Sequence, residues 1–330
     1  MPKIKVITEP DLRQLVKLDL DIVNCMEQAF VALATSKVVM PPILSMGIHD
    51  NNGEVDVKTA YVPEIDSFAI KMSPGFFDNP KIGLPSTSGL MVLFSSKTGV
   101  LEALLLDNGY LTDIRTAAAG ALAAKYLARH DAEAACVVGS GNQARLQLKA
   151  LKLVRPIKTA KIWGRDVIKA KALAKTLSNE LAIEVCGTAN LSEAVSEADI
   201  IITSTPSSSP LVMAKWLKPG QHITAMGSDQ NHKCELEPEC LSRADRYVPD
   251  YQLQTKILGE LRSAIQSGVI PVTKEFSDLG SVVSGKAVGR TRDQDITIAD
   301  LTGTGMQDTA IATFASQRAK EKDMGMEITC

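Results

Sequence analysis

The sequence predicts an α/β chain: a doubly wound parallel sheet in the second half, joined to an α+β domain built largely from the first. Three observations predict it. Between about Ala134 and Asp250, short apolar runs alternate with amphipathic stretches, the pattern of strand–helix units in a parallel sheet. The first of those runs ends in a glycine turn that opens a helix. Before residue 120 the apolar runs instead follow one another with only glycine, proline and asparagine between them, as in an antiparallel sheet.

Taken in order, DLDIVNCMEQAFVALAT has helical spacing and an acidic first turn. VDVKTAYVP, FAIKMSP, GLMVLFS and LEALLLD read as strands, with a turn at Ser73-Pro74-Gly75. YLTDIRTAAAGALAAKYLARH is a long Ala-rich helix suited to bridging two domains. Then come the strand AACVV, the helix QARLQLKALKLV, the strand TAKIWGR, the helix KAKALAKTLSNEL, the strand IEVCG, the helix LSEAVSEA and the strand DIIITSTP. KPGQHITAMGSD carries a fifth strand and RADRYVPD a sixth. DITIADL is a further strand, and the helix MQDTAIATFASQRAKEK is expected to pack back on the first domain. The expected domains are therefore 1–120 with 306–330, and 121–305.

Composition narrows the function classes. A chain of 330 residues suits about two domains. Hydrophobic residues make up 45 % and charged residues 22 %, the profile of a globular protein rather than a disordered one. Aromatics are only 4 %, so small aliphatic side chains must fill the core. The formal charge is -2 with no basic block, which argues against nucleic-acid or membrane-surface partners. The N-terminus lacks the apolar region of a signal peptide, and no apolar run approaches the roughly 18 residues of a membrane span. Six cysteines without a CxxC pair read as reduced thiols of a cytoplasmic protein. Cys234 and Cys240, near His232, match no zinc spacing, so no metal is expected. His49, His130, His222 and His232 lack any partner pattern.

Gly139-Ser140-Gly141-Asn142-Gln143-Ala144 fits GxGxxA, between a strand and a helix in a βαβ unit. Gly139 makes the tight turn. Gly141 lets backbone approach a pyrophosphate, and Ala144 keeps helix and strand close. The helix N-terminus offers its N–H groups to the anion. This is the fingerprint of a Rossmann-type domain binding NAD or NADP. The end of the next strand reads Trp163-Gly164-Arg165-Asp166, so Gly164 or Arg165 occupies the place of the usual ribose-binding acid. Arg165 can meet a 2′-phosphate and Asp166 can reach a ribose, which leaves the choice open.

YLTDIRTAAAGALAAKYLA, VVGSGNQA and MGSDQNHKCEL together resemble the ornithine cyclodeaminase/μ-crystallin family, along essentially the whole chain. The resemblance implies a Rossmann domain plus a substrate domain that forms homodimers through an antiparallel sheet. It implies that Lys71 in AIKMS and Arg115 in DIRT meet the substrate and that Asp229 in MGSD, together with Lys71, is catalytic. The family's arginine after a proline pair is absent, because Ile43 follows Pro41-Pro42. Within the family, the segment 55–86 is most similar to ectoine-utilisation cyclodeaminases and iminosuccinate reductases.

The chemistry follows from the residue types. Lys71 and Arg115 are cations that can hold a carboxylate, Arg115 with help from a helix N-terminus. Asp229, after a strand of the parallel sheet, can carry the proton that accompanies hydride transfer. Lys58 and Ser73 are candidates for a second carboxylate. Thr205 can border the dinucleotide, and the glycine turn Gly303-Thr304-Gly305 can let backbone approach the nicotinamide. The sequence thus points to an NAD(P)H-dependent reductase of a small imino acid, with iminosuccinate, which gives aspartate, as the expected substrate. The alternatives are a cyclodeaminase that recycles bound NAD⁺, with Glu54 or Asp56 meeting a distal amine, and a crystallin-like binding protein without catalysis.

Overall fold

The computed structural model describes residues 3–329. The chain divides into two compact units, Met1–Arg115 with Thr304–Cys330, and Thr116–Gly303.

The first unit opens with strand β1 (Lys3–Thr8) and helices α1 (Glu9–Leu15) and α2 (Leu20–Thr35). Strands β2 (Leu44–Ile48), β3 (Gly53–Ala60), β4 (Ser67–Phe76), β5 (Leu90–Ser95) and β6 (Leu101–Leu106) follow. Helix α3 (Tyr110–Leu127) begins in this unit and ends in the other. The first unit closes with α11 (Gly305–Glu321) and β14 (Met326–Thr329). Its seven-stranded sheet runs β14-β1-β6-β5-β4-β3-β2 and is antiparallel except where β1 meets β6. The strand period of two sorts β3 to β6 cleanly. Ala69, Met91, Leu93, Ala103 and Leu105 are buried on one face, against which α11 packs. Phe68, Ile70, Met72, Val92, Phe94 and Leu104 point the other way and are only partly buried. The expected turn at Ser73-Pro74-Gly75 is not there. β4 runs straight through it to Phe76, and Pro74 sits opposite Val55.

In the second unit the elements alternate: β7 (Ala134–Val138), α4 (Asn142–Val154), β8 (Thr159–Trp163), α5 (Val167–Leu181), β9 (Glu184–Thr188), α6 (Leu191–Glu197), β10 (Ile200–Thr203) and β11 (His222–Ala225). Short helices α7 (Glu239–Arg243), α8 (Gln252–Thr255), α9 (Glu260–Gln266) and α10 (Leu279–Val283) flank and follow β12 (Arg246–Pro249), and β13 (Thr297–Asp300) ends the unit. All seven strands are parallel, in the order β12-β13-β11-β10-β7-β8-β9. A sheet covered on both faces needs strands that are apolar throughout, and Ile200-Ile201-Ile202-Thr203 is buried at every position. Cys136, Val138, Ile201 and Ile223 join one core, while Ala135, Val137, Ile200 and Ile202 join another. The two cores are the signature of double winding.

Candidate active-site residues

In the first unit, β3 and β4 pair so that Lys58 lies directly opposite Lys71. Like charges facing across strands repel, and a buried lysine is costly unless paired. α11 supplies the counter-charge. Asp308, fully buried in its first turn, is ion-paired with Lys71 Nζ at 3.0 Å and accepts from Arg115 Nε at 3.0 Å. Arg115 Nη1 also reaches Gln307 Oε1 at 3.4 Å, and that oxygen takes the Thr304 N–H of the helix start at 2.8 Å. The Asp107 carboxylate accepts the Leu111 N–H at 2.9 Å and so fixes the start of α3, which carries Arg115. Burial pushes Lys71 down to about 7, against the pull of Asp308 and with the repulsion of Arg115 and Lys58. Burial also pushes the Asp308 carboxyl up, but Arg115, Lys71 and Lys58 outweigh it and hold it below the usual range. Three cations thus act on the Asp308 carboxylate. Ser73 lies on the same strand as Lys71, opposite Asp56, and is half-buried. Gly305 opens α11 against β3: a Cβ there would lie 2.2 Å from the Thr59 carbonyl oxygen, so close packing accounts for this glycine.

In the second unit, Gly139 leaves β7 with φ 136°, and a Cβ on it would meet Ser204 Oγ at 2.7 Å. Gly141 behaves differently. Its φ is -90°, an ordinary value, and nothing lies within 4 Å of a Cβ built on it. It is the N-cap of α4, and no side chain caps that helix. The next two helices of the sheet are capped by Asp166 and Asn190. The α4 N-terminus therefore combines uncapped backbone with open space, which fits a bound pyrophosphate. Ser140, Asn142, Gln143 and the buried Ala144 complete the loop and first turn. A Cβ on Gly164 would lie 2.9 Å from Ser140 Oγ, so a side chain at that position would have to displace the Ser140 hydroxyl. Asp166 is occupied as a cap, accepting the Ile168 and Lys169 N–H groups at 2.9 and 3.1 Å, while Arg165 is exposed.

Asp229 lies four residues beyond β11, and no helix begins at it, so it is not a cap. Its carboxylate is partly exposed and ion-paired with Lys233 Nζ at 2.6 Å. The Thr205 N–H donates to the carboxylate of Glu235. Gly303 has φ 77° and donates its N–H to Asp250 at 2.8 Å. Sequence reasoning missed Asp308, Gln307, Lys233 and Glu235. The Thr304/Gln307 capping box was a readable signal near Asp308, and the i, i+4 spacing of Asp229 and Lys233 was another. Among the described residues no group of histidine, cysteine, aspartate and glutamate is placed to hold a metal ion. The cysteines among them are free, and Cys330 lies outside them. Among the described residues no helix is long and apolar enough to cross a membrane.

The profile of the ornithine cyclodeaminase/mu-crystallin family matches residues 4–323. A protein of Sinorhizobium fredii described as an uncharacterized cyclodeaminase is 59 % identical over 98 % of both chains. An archaeal alanine dehydrogenase dimer with bound NAD superposes with a TM-score of 0.92 at 33 % identity, over 99 % of each chain. The iminosuccinate reductase of Paracoccus denitrificans in complex with NAD⁺ does so with a TM-score of 0.91 at 29 % identity, over the full length of both.

Proposed function

The chain belongs to the ornithine cyclodeaminase/mu-crystallin family, and from that premise we propose that it is a nicotinamide-dinucleotide-dependent reductase of a small imino acid, with iminosuccinate, reduced to aspartate, as substrate. The observation that carries this reading is the cluster of Lys58, Lys71 and Arg115 near the buried carboxylate of Asp308. A second anion placed among those cations relieves the Lys58–Lys71 repulsion and restores full charge to Lys71. A substrate with two carboxylates uses such a cluster better than one with a single carboxylate does. It also makes the missing arginine at Ile43 intelligible, since Lys58 supplies a cation from the neighbouring strand.

The loop from Gly139 to Ala144 and the uncapped start of α4 would hold the pyrophosphate. When bound, the dinucleotide supplies the hydride that reduces the imine carbon. Asp229 delivers the accompanying proton to the imine nitrogen, and Lys233 orients that carboxylate. Lys71 and Arg115 hold the α-carboxylate, and Lys58 with Ser73 meets the second one. Arg165 is free to take a 2′-phosphate now that Asp166 serves its own helix, so NADPH is an acceptable donor beside NADH. The first unit is the substrate-binding and dimer-forming part: its partly buried Phe68, Ile70, Met72, Val92 and Leu104 make a sheet face that a second copy would cover.

The test is direct. Oxaloacetate plus ammonia, and separately pyruvate plus ammonia, are supplied with NADH or NADPH and the nicotinamide absorbance is followed. Faster oxidation with oxaloacetate is expected. Equal rates with pyruvate would reject the dicarboxylate, and no turnover with either would reject the reductase. One observation favours a second reading, a cyclodeaminase: the description of the Sinorhizobium fredii relative. For that reaction Glu54 or Asp56, both on β3, would meet the distal amine. Purified protein carrying stoichiometric NAD⁺, with deamination of a diamino acid and no net NADH turnover, would establish it. Retention of Lys71, Arg115 and Asp229 together argues against a purely binding role.

A further inference from the structure

Glu235 is fully buried in the second unit, and it joins the ends of two neighbouring strands. One carboxylate oxygen, Oε2, accepts the Thr203 hydroxyl at 2.6 Å and the Gly227 N–H at 2.8 Å. The other, Oε1, accepts the Thr205 N–H at 2.5 Å. Thr203 ends β10, and Gly227 lies just past the end of β11. The side chain therefore spans the C-terminal rim of a parallel sheet, where such sheets present their ligand-binding loops. Gly227 exists to let it in: a Cβ there would lie 2.5 Å from the Glu235 carboxyl carbon and 2.3 Å from the Thr205 carbonyl oxygen. Glu235 cannot easily swing away, because its own N–H is held by Glu260 Oε1 at 2.8 Å, and Glu260 is itself buried. Beyond Gly227 the Ser228 hydroxyl closes the loop onto the Lys233 carbonyl at 2.8 Å, which brings Lys233 back to Asp229. Burial pushes the Glu235 carboxyl up to about 7, although each of its partners is a donor that favours the charge. So costly a group is hard to explain as filler.

We propose that Glu235 is a positioning residue that locks the loop carrying Thr205 and the loop carrying Asp229 into one arrangement. The glycine of Met226-Gly227-Ser228-Asp229 and the glutamate eight residues later form a single device. Its effect on catalysis rests on the function proposed above, in which Asp229 moves the proton, and on Thr205 bordering the dinucleotide as the sequence leads one to expect. Its effect on the two loops does not.

Glu235→Gln separates the loops. Two donors face the Oε2 position, so the amide oxygen settles there and keeps the Thr203 and Gly227 bonds. The amide nitrogen then faces the Thr205 N–H, donor against donor, and only that bond is lost. Glu235→Ala releases both loops. Amide hydrogen exchange on the full chain should rise about tenfold at Thr205 and stay unchanged at Gly227 in Glu235→Gln, and rise at both in Glu235→Ala, as an unsatisfied buried donor predicts. In the same proteins, Glu235→Gln should weaken dinucleotide binding about tenfold while kcat at saturating dinucleotide stays within about threefold, and Glu235→Ala should lower kcat by a further tenfold or so. Unchanged exchange at Thr205 in Glu235→Gln overturns the proposal, as does equal loss of kcat in both variants. If Glu235→Ala does not fold, the exchange pattern of Glu235→Gln still decides. If the exchange pattern appears but the wild-type protein binds no dinucleotide, the loop-locking stands and the proposed function falls.

Discussion

Gly141→Val separates fold from function in the dinucleotide loop. The backbone at Gly141 is at φ -90°, open to any residue, and a Cβ there meets no protein atom within 4 Å. The substitution therefore creates no clash within the chain. Gly141 is the N-cap of α4, where replacing glycine by an apolar residue costs on the order of 0.5–1.5 kcal/mol. The reduced freedom of the unfolded chain offsets part of that, by about 0.4–1 kcal/mol. The net change in stability should stay within about 1 kcal/mol, a shift in Tm of roughly 2–4 °C for a unit of this size. The same side chain would stand where the backbone must approach the pyrophosphate. Loss of that approach should weaken NADH and NADPH binding at least ~100-fold, about 2.7 kcal/mol. Gly139→Ala is the counterpart. Its φ of 136° and the 2.7 Å approach to Ser204 Oγ predict a fold destabilised by about 1–3 kcal/mol. Calorimetric titration with each dinucleotide, alongside thermal melts of both variants, tests the pair. Gly141→Val with unchanged dinucleotide affinity would refute the reasoning, and so would a Tm loss larger than that of Gly139→Ala.

Other outcomes follow from the same structure. Asp229→Asn should lower kcat by about 10²- to 10⁴-fold with dinucleotide affinity within about twofold, and full retained activity would remove Asp229 from the chemistry. Lys71 titrates at about 7 when unliganded, and a bound carboxylate raises it, so binding takes up a proton. Affinity for L-aspartate in the presence of dinucleotide should therefore be full below about pH 7 and fall by up to about tenfold per unit above it, whereas Lys71→Met should bind weakly with a flat pH profile. The protein should have the mass of two chains by light scattering at micromolar concentration, and Ile70→Glu, which charges the partly buried sheet face, should shift it to one. A monomeric wild-type protein would reject the dimer.

The sequence by itself determined the strand–helix alternation of the second unit and the glycine loop, which are legible because local spacing encodes them. A buried parallel strand must be apolar at every position, as in Ile200-Ile201-Ile202, and a phosphate loop must place its glycines within six residues. The candidate roles of Lys71, Arg115 and Asp229 were instead implied by the family resemblance of the motifs that hold them. The edge strands β1, β2 and β14 and the helices of four to seven residues between β11 and β13 escaped, because they are too short to carry a period. Ser73-Pro74-Gly75 looked like a turn because proline and glycine usually break strands, yet cross-strand pairing with β3 keeps it extended. Tertiary structure alone decided which charges meet. Asp308 is 193 residues from Arg115, and nothing in either neighbourhood announces the pair. Glu235 looked like one more charge in KCEL until the sheet placed it between β10 and β11. A buried charge needs a partner, but the chain can supply that partner from any distance, so only the fold reveals which one it is.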